Sequence, residues 1–345
     1  MAWIPFARTP LALALQGGGA HGAFTWGVLD ALLEDGRFTF PALSGTSAGA
    51  MNALALAHGL LAGGRDGARA ALQSIWQAVG TRLPFELLVV GPTESPGFVP
   101  GLQALMHWTR LLSPYQLNPL GLNPLREVLA EQIDFERLRR AEAPRLFIAT
   151  THANSGRMRL FGNAELSVEV LMASTCLPNL HHAVMIDGEP YWDGGYSANP
   201  ALFPLVRTGI ADLLVVSLSP QTYAESPVSA EQIRQRTLEF TFNASFLREA
   251  VLLAQACAEA RDSAFAFGRL ERRLRRLRTH LIDAQDDLAG LRAETRLIAH
   301  LPFLERLRDL GRARAQAWLG GPGRSVGHAS TVDFALRFAA PGAPA

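Results

Sequence analysis

The stretch Ser44-Gly45-Thr46-Ser47-Ala48-Gly49-Ala50 decides how the chain is read. Gly45-x-Ser47-x-Gly49 is the pattern of a nucleophile elbow, in which small neighbours let the backbone turn from a strand into a helix with a serine hydroxyl at the apex. The flanks agree with that context. Phe38 to Leu43 is a short apolar run suited to a buried strand, and Ala48 to Leu61 is rich in the helix formers Ala, Leu and Met. Ser47 is therefore the candidate nucleophile. Taken alone the pattern is common enough to mark an ordinary connecting turn, so its weight depends on what surrounds it.

Upstream, the apolar strand Leu11–Leu15 runs into Gln16-Gly17-Gly18-Gly19-Ala20-His21-Gly22, followed by helical spacing from Ala23 to Leu33. Gly17, Gly19 and Gly22 satisfy G-x-G-x-x-G, which raises a dinucleotide site. In such a site the second strand ends in an acidic residue for the ribose; here it ends in Gly45-Thr46-Ser47. The other use of a glycine loop at a helix start is to aim the N–H groups of Gly17, Gly18 and Gly19 at an oxygen that becomes negative. A serine elbow 28 positions after Gly19 gives such a loop something to serve.

Downstream, Met185-Ile186-Asp187-Gly188-Glu189-Pro190-Tyr191-Trp192-Asp193-Gly194-Gly195 reads as two short strands joined at Asp187-Gly188. They deliver Asp193 to a turn made by Gly194 and Gly195. Because Asp187-Gly188 already fills the ordinary turn role, the plain-turn reading of Asp193 weakens, and the glycines after it leave its carboxylate approachable.

Composition narrows the chemistry. In 345 residues, 48% hydrophobic and 18% charged, there is enough apolar material for a large globular core. The net charge of +1 offers no overall field for nucleic acid. Every one of the 32 basic residues is arginine, and a guanidinium is too basic to serve as an amine nucleophile or general base, so Ser-Lys dyads and Schiff-base lysines are excluded. Two cysteines, Cys176 and Cys257, suggest neither a disulfide framework nor a cysteine-based metal site. The first ten residues lack the pattern of a signal peptide, and no apolar stretch is long enough to span a membrane. A cytoplasmic location follows as the expectation, with peripheral contact at the inner face of the membrane left open.

Between Leu83 and Pro124 seven prolines interrupt an otherwise apolar segment, the composition of a lid or lipid-facing flap as much as of a loop packed on the core. Strands are expected at Leu146–Thr151 and Asp212–Ser219, with a return run at Met158–Phe161. Beyond Pro227 the pattern turns helical: Ala230 to Phe267, an arginine-rich amphipathic stretch Arg269 to Arg278, and Leu288 to Leu319. The arginine face is either solvated or a contact for anionic lipid. The tail after Gly320 is rich in Gly and Pro.

The glycine loop Gly17-Gly18-Gly19-Ala20-His21-Gly22, the elbow Gly45-Thr46-Ser47-Ala48-Gly49 and Asp193-Gly194-Gly195, in that order, resemble the patatin-like phospholipase family, and the helical extension resembles that of a bacterial branch. The resemblance implies an α/β fold, a three-layer sandwich whose mostly parallel central sheet is flanked by helices. It implies a catalytic domain over 11–220, a helical C-terminal extension over 221–319 packed on it, and a tail over 320–345. It implies a lipid acyl hydrolase of phospholipase A or carboxylesterase type with a Ser47–Asp193 dyad, an oxyanion loop at Gly17–Gly19, and supporting roles for His21, Gly22, Gly45, Gly49, Gly194 and Gly195. No cofactor or metal is implied, and the partner is a lipid or acyl ester; the oligomeric state is not. Family members often carry Arg or Lys where this chain has His21, which bears on how positive the loop is. Two alternatives stay open: a non-enzymatic acyl-lipid binder of the same fold, and a Ser-His-Asp esterase using a late histidine such as His181, His182 or His328.

Overall fold

The computed structural model describes residues 8–82, 88–109, 112–140, 142–223 and 225–339. The expected Leu83–Pro124 flap therefore lies partly outside the described residues, as does the end of the 320–345 tail. Eleven strands are present among those described. They are β1 (Thr9–Leu15), β2 (Phe38–Thr39), β3 (Ala42–Gly45), β4 (Val89–Val90), β5 (Gly97–Phe98), β6 (Arg145–His152), β7 (Met158–Phe161), β8 (Val184–Ile186), β9 (Glu189–Asp193), β10 (Asp212–Ser217) and β11 (Arg278–Asp283). The central sheet runs β11-β10-β1-β3-β6-β9-β8, with β2 beside β1 and β7 beside β6; β4 and β5 form a separate hairpin. The pairs from β11 to β6 are parallel, and β7, β9 and β8 join antiparallel.

The two-residue period of β1 and β10 builds three layers. Leu11, Leu13 and Leu15 of β1, with Leu214 and Val216 of β10, enter one core beneath α1 (Gly22–Asp35), α2 (Ala48–Arg82) and the helix Leu301–Gly320. Ala12, Ala14, Leu213 and Val215 point the other way, into a second core with Phe246 of the helix Ala230–Asp262 and Phe334. Strands buried on both faces read as continuous apolar runs, which is why Asp212–Ser217 carries no alternation. The chain is thus an α/β sandwich with a mostly parallel sheet between helical layers, as expected.

Several elements differ from their sequence reading. The run Phe38–Leu43 is divided between β2 and β3, because Pro41 has no N–H for the ladder and only its carbonyl is used, accepting from Arg145 N. α2 is two helices joined at Gly63 and Gly64, whose backbone angles are not helical. The arginine-rich helix is Arg269–Arg276, and Arg278 opens β11, so the segment expected to be helical also adds a strand to the sheet. Within Leu288–Leu319, the long helix starts only at Leu301, with Pro302 in its first turn. No helix among the described residues is long and apolar enough to cross a membrane.

Helix Leu301–Gly320 crosses α1 at backbone contact. A Cβ on Gly27 would collide with the Arg308 carbonyl, and one on Gly311 with that of Phe24. Gly311→Ala is expected to cost about 1–3 kcal/mol by overpacking. The measurement is a urea unfolding midpoint that falls at unchanged slope; an unchanged midpoint would show that the crossing relaxes freely.

Candidate functional site

The site lies at the C-terminal end of the parallel strands, where β1 passes into the glycine loop and β3 into the elbow. Ser47 has φ +55, one of two non-glycine residues with positive φ among those described. A β-carbon there is strained by about 1–3 kcal/mol, so the surroundings must impose the conformation. They do so from four sides. Ser47 N donates to Ser174 Oγ at 3.0 Å, and Ser174 Oγ donates to the Ala149 carbonyl at 2.8 Å. Thr46 Oγ1 donates to the Ala198 carbonyl at 2.7 Å. Gly49 N donates to the Thr46 carbonyl, and Ala50 N and Met51 N to that of Ser47. Gly49 packs so closely on the end of β1 that a Cβ would overlap the Leu15 carbonyl.

Strand register brings Asp193 to this elbow from 146 residues away. Gly45, the last residue of β3, pairs with Ile148 of β6, while Asp193, the last of β9, pairs with Thr150, two residues or about 7 Å further along β6. Asp193 is completely buried. Its Oδ1 accepts from Gly195 N at 2.7 Å, its backbone N donates to the Cys176 carbonyl, and its own carbonyl accepts from Thr151 Oγ1. Oδ2 has no hydrogen-bond partner among the described residues. Burial raises the Asp193 pKa to about 7, against the opposing pull of the Gly195 N–H and the Ser47 hydroxyl. The serine therefore sits close enough to influence the carboxyl without closing a full hydrogen bond on Oδ2. Cys176 and Tyr196 are both pushed up to about 12, by burial first and then by the Asp193 charge, which marks them as neighbours of the carboxylate.

The glycine loop is arranged differently from its sequence reading at one position. Gly17 N donates to Asn199 Oδ1 at 2.7 Å, so this N–H is occupied and Gly17 is withdrawn as an oxyanion donor. Its role is space: a Cβ would stand 2.7 Å from the Thr46 carbonyl and 2.8 Å from Ser47 Cβ. Gly18 and Gly19 N–H make no hydrogen bond among the described residues and remain the candidate donors. Gly19 has φ +60 and lies against the Arg296 carbonyl, so two constraints require glycine there. Gly22, Gly45, Gly194 and Gly195 are likewise held where a side chain would meet Ala48, Gly49, Ala149 and Phe242 respectively. The N-termini of α1 and α2 follow the loop and the elbow directly, adding their partial positive charge to both.

His21 does not supply the positive charge that an arginine would. It is buried, donates or accepts at Thr295 Oγ1 over 2.8 Å, and has its pKa lowered to about 3 by burial and then by the nearby Arg296 charge. Nor does a histidine reach Ser47 or Asp193: among the described residues none hydrogen-bonds either. His181 faces Asn123, His182 meets the Pro114 carbonyl and stacks on Tyr115, and the backbone N–H of His328 donates to the Ser325 carbonyl.

Sequence reasoning missed Thr46, Ser174, Asn199, Phe242 and Thr295. Their partners lie 127 residues away for Ser174 and 274 for Thr295, and nothing in a Ser or Thr announces so distant a contact.

The loop, the elbow and the Asp-Gly-Gly turn all lie within residues 13–206, which match a family model for patatin-like phospholipase. The chain belongs to the patatin-like phospholipase family. Lipid acyl hydrolysis is the activity class of this family, and lipids are its substrates. A crystal structure of VipD from Legionella pneumophila is also similar, with 14% identity, a TM-score of 0.36, and coverage of 89% of this chain and 67% of that one. No curated protein matches the chain by sequence. In this patatin-like protein the contacts from Phe242, Thr295 and Arg296 reach the site from beyond the residues that the family model matches.

The raised Asp193 pKa has a stability consequence. Between the ordinary carboxylate range and about 7, the folded protein holds a proton that the unfolded chain has released, so stability falls as pH rises through that window. The full effect is about 4 kcal/mol. Asp193→Asn keeps the acceptor for Gly195 N and abolishes the titration. Its stability relative to wild type, from urea unfolding, is expected to grow between pH 4 and pH 8; a difference independent of pH would mean that Asp193 ionises freely.

Proposed function

We propose that this protein hydrolyses acyl esters of lipids through a Ser47–Asp193 dyad with a covalent acyl-enzyme. The observation that carries the reading is the approach of a strained, half-buried serine to a fully buried carboxyl whose second oxygen has no other partner among the described residues. A free aspartate near 3.9 is a poor base for an alcohol, and burial moves Asp193 toward working pH. Ser47 Oγ attacks the ester carbonyl carbon as its proton passes to Asp193 Oδ2. The carbonyl oxygen becomes negative and accepts from Gly18 and Gly19 N–H. Collapse breaks the bond to the alcohol, which leaves with the proton from Asp193. Water then attacks the acyl carbon, gives its proton to Asp193, and the proton returns to Ser47 as the acid departs.

The reading of the alternatives follows from contacts. A Ser-His-Asp esterase needs a histidine on the serine; the rings of His181 and His182 are engaged elsewhere, and among the described residues no histidine hydrogen-bonds Ser47 or Asp193. An acyl-lipid binder without turnover has no use for a strained serine beside a desolvated carboxyl.

We further propose that contact with lipid is made by the apolar segment and not by the arginine helix. Trp108, Leu112, Leu117, Leu120 and Leu122 are exposed, and Tyr115 stacks on His182, just ahead of β8, whose Val184 pairs with Tyr191 two residues from Asp193. The helix Arg269–Arg276 instead leads to Arg278, paired with Asp212 at the start of β10 and hence at the opposite end of the parallel strands from Ser47.

Ser47→Ala and Asp193→Asn are each expected to lower kcat/KM on a p-nitrophenyl ester by on the order of 10³-fold or more. In wild type kcat/KM should rise with pH through about 7, because only ionised Asp193 accepts the proton. A fluorophosphonate should label Ser47. Undiminished turnover in Ser47→Ala, or labelling of another serine, refutes the assignment. For the lipid contact, Trp108→Ser with Leu120→Ser should weaken co-sedimentation with phosphatidylcholine vesicles, whereas Arg275→Ser with Arg276→Ser should not; the reverse result would return the arginine face to that role.

A further inference from the structure

Two contacts join the glycine loop to the short turn Ala293–Leu297, and a third joins it to the helix Leu301–Gly320. The Arg296 carbonyl lies against Gly19 where a Cβ would stand. His21 Nε2 and Thr295 Oγ1 are 2.8 Å apart, both side chains buried. The His21 ring also meets Phe303 edge to face. The direction of the His21–Thr295 bond is set by the third partner. Thr295 Oγ1 is 2.6 Å from the Arg292 carbonyl, which can only accept, so the threonine hydrogen goes there and His21 Nε2–H donates to Thr295. The turn is itself fixed from the far side. The Arg296 guanidinium pairs with the buried Glu239 of the helix Ala230–Asp262 at 3.4 Å, and Glu239 also accepts from Tyr223 and Gln235.

We propose that Thr295 is a positioning residue for the oxyanion loop: by accepting from His21, with the Arg296 carbonyl seated on Gly19, it fixes the direction of the Gly18 and Gly19 N–H groups. The inference rests on the hydrolase reading above. It also accounts for a histidine in the loop where a cation is usual. A neutral ring that donates one hydrogen bond locks the loop to a neighbouring turn, while its charge contributes nothing. Donors aimed in advance at the developing oxyanion need no reorganisation during the reaction, whereas a loop free to move must be ordered in each turnover. The loss of such a bond therefore appears in kcat and leaves substrate binding largely alone.

The test compares Thr295→Val, which keeps the shape and removes the acceptor, with Thr295→Ser, which restores the hydroxyl, in the full chain. Rates on p-nitrophenyl butyrate are expressed per active site titrated with a fluorophosphonate, so that misfolded protein does not count. Thr295→Val is expected to lower kcat 10- to 100-fold with KM within twofold. The pH at which kcat/KM rises should not move, since Asp193 is untouched, and Thr295→Ser should recover kcat to within threefold. Deuterium exchange over residues 16–24 should be faster in Thr295→Val. Thr295→Ala takes its place if the valine protein folds poorly. An unchanged kcat per site, an equal loss in Thr295→Ser, or unaltered exchange in the loop overturns the proposal. A wild type without Ser47-dependent turnover refutes the hydrolase reading instead, and the exchange measurement then decides the tether by itself.

Discussion

A single buried amide, that of Gln16, holds together the parts from which the site is made. It follows β1 directly and is completely buried, so every polar atom it carries must be paired inside the protein. Its oxygen accepts from Ser217 Oγ and from Leu218 N and Ser219 N, at the end of β10. Its nitrogen donates to the Asn199 carbonyl and to Asn243 Oδ1 on the helix Ala230–Asp262. Asn199 in turn takes the Gly17 N–H. One side chain thus fixes the exit of two parallel strands, the chain that follows the Asp-Gly-Gly turn, and a helix from the C-terminal segment. A residue with only one of those capacities would leave a buried donor or acceptor unpaired, at about 1–3 kcal/mol each.

That frame carries two unfavourable terms at the same place. Positive φ at Ser47 and desolvation of Asp193 both oppose folding, and together they concentrate several kcal/mol of destabilisation on two residues. Neither is relieved locally. The elbow is held by Ser174, Thr46 and Gly49 through bonds to strands and a helix far off in sequence, and Asp193 is fixed by the ends of β6 and β9. The cores on both faces of the sheet supply the offset. Such a division, with strain at the site and packing elsewhere, is the usual arrangement in proteins whose function needs an uncomfortable residue.

The legible parts of this molecule were those whose physics is local. The elbow, the glycine loop and the Asp187-Gly188 hairpin announce themselves because a turn of given geometry demands glycine at fixed offsets, and β10 because a strand buried on both faces reads as a continuous apolar run, here Leu213 to Val216. The family model over 13–206 bears out the family those motifs resembled. What stayed hidden depends on tertiary neighbours. Gly17 looked like a donor, and only the position of Asn199 shows that its N–H is spent. The arginine-rich helical pattern runs to Arg278 in sequence, yet Arg278 opens β11, where Asp212 provides a buried partner for Arg278 and His280. Thr-His-Leu-Ile could have signalled a strand through its β-branched residues, but the preceding leucine spacing masks it.

The C-terminal segment bears on the site from two directions, which changes what kind of addition it is. From one side Phe242 packs on Gly195, so the turn that presents Asp193 can carry no side chain there. From the other, Thr295 and Arg296 close over the glycine loop. Between them, Glu239 on the same helix as Phe242 pairs with Arg296, so the two contacts are mechanically linked through one buried carboxylate. A displacement of the helix Ala230–Asp262 would therefore be felt at the Asp193 turn and at the glycine loop together. Ser47, Asp193 and the glycine loop lie within the residues that the family model matches, but the geometry in which they meet is shaped by contacts from beyond them.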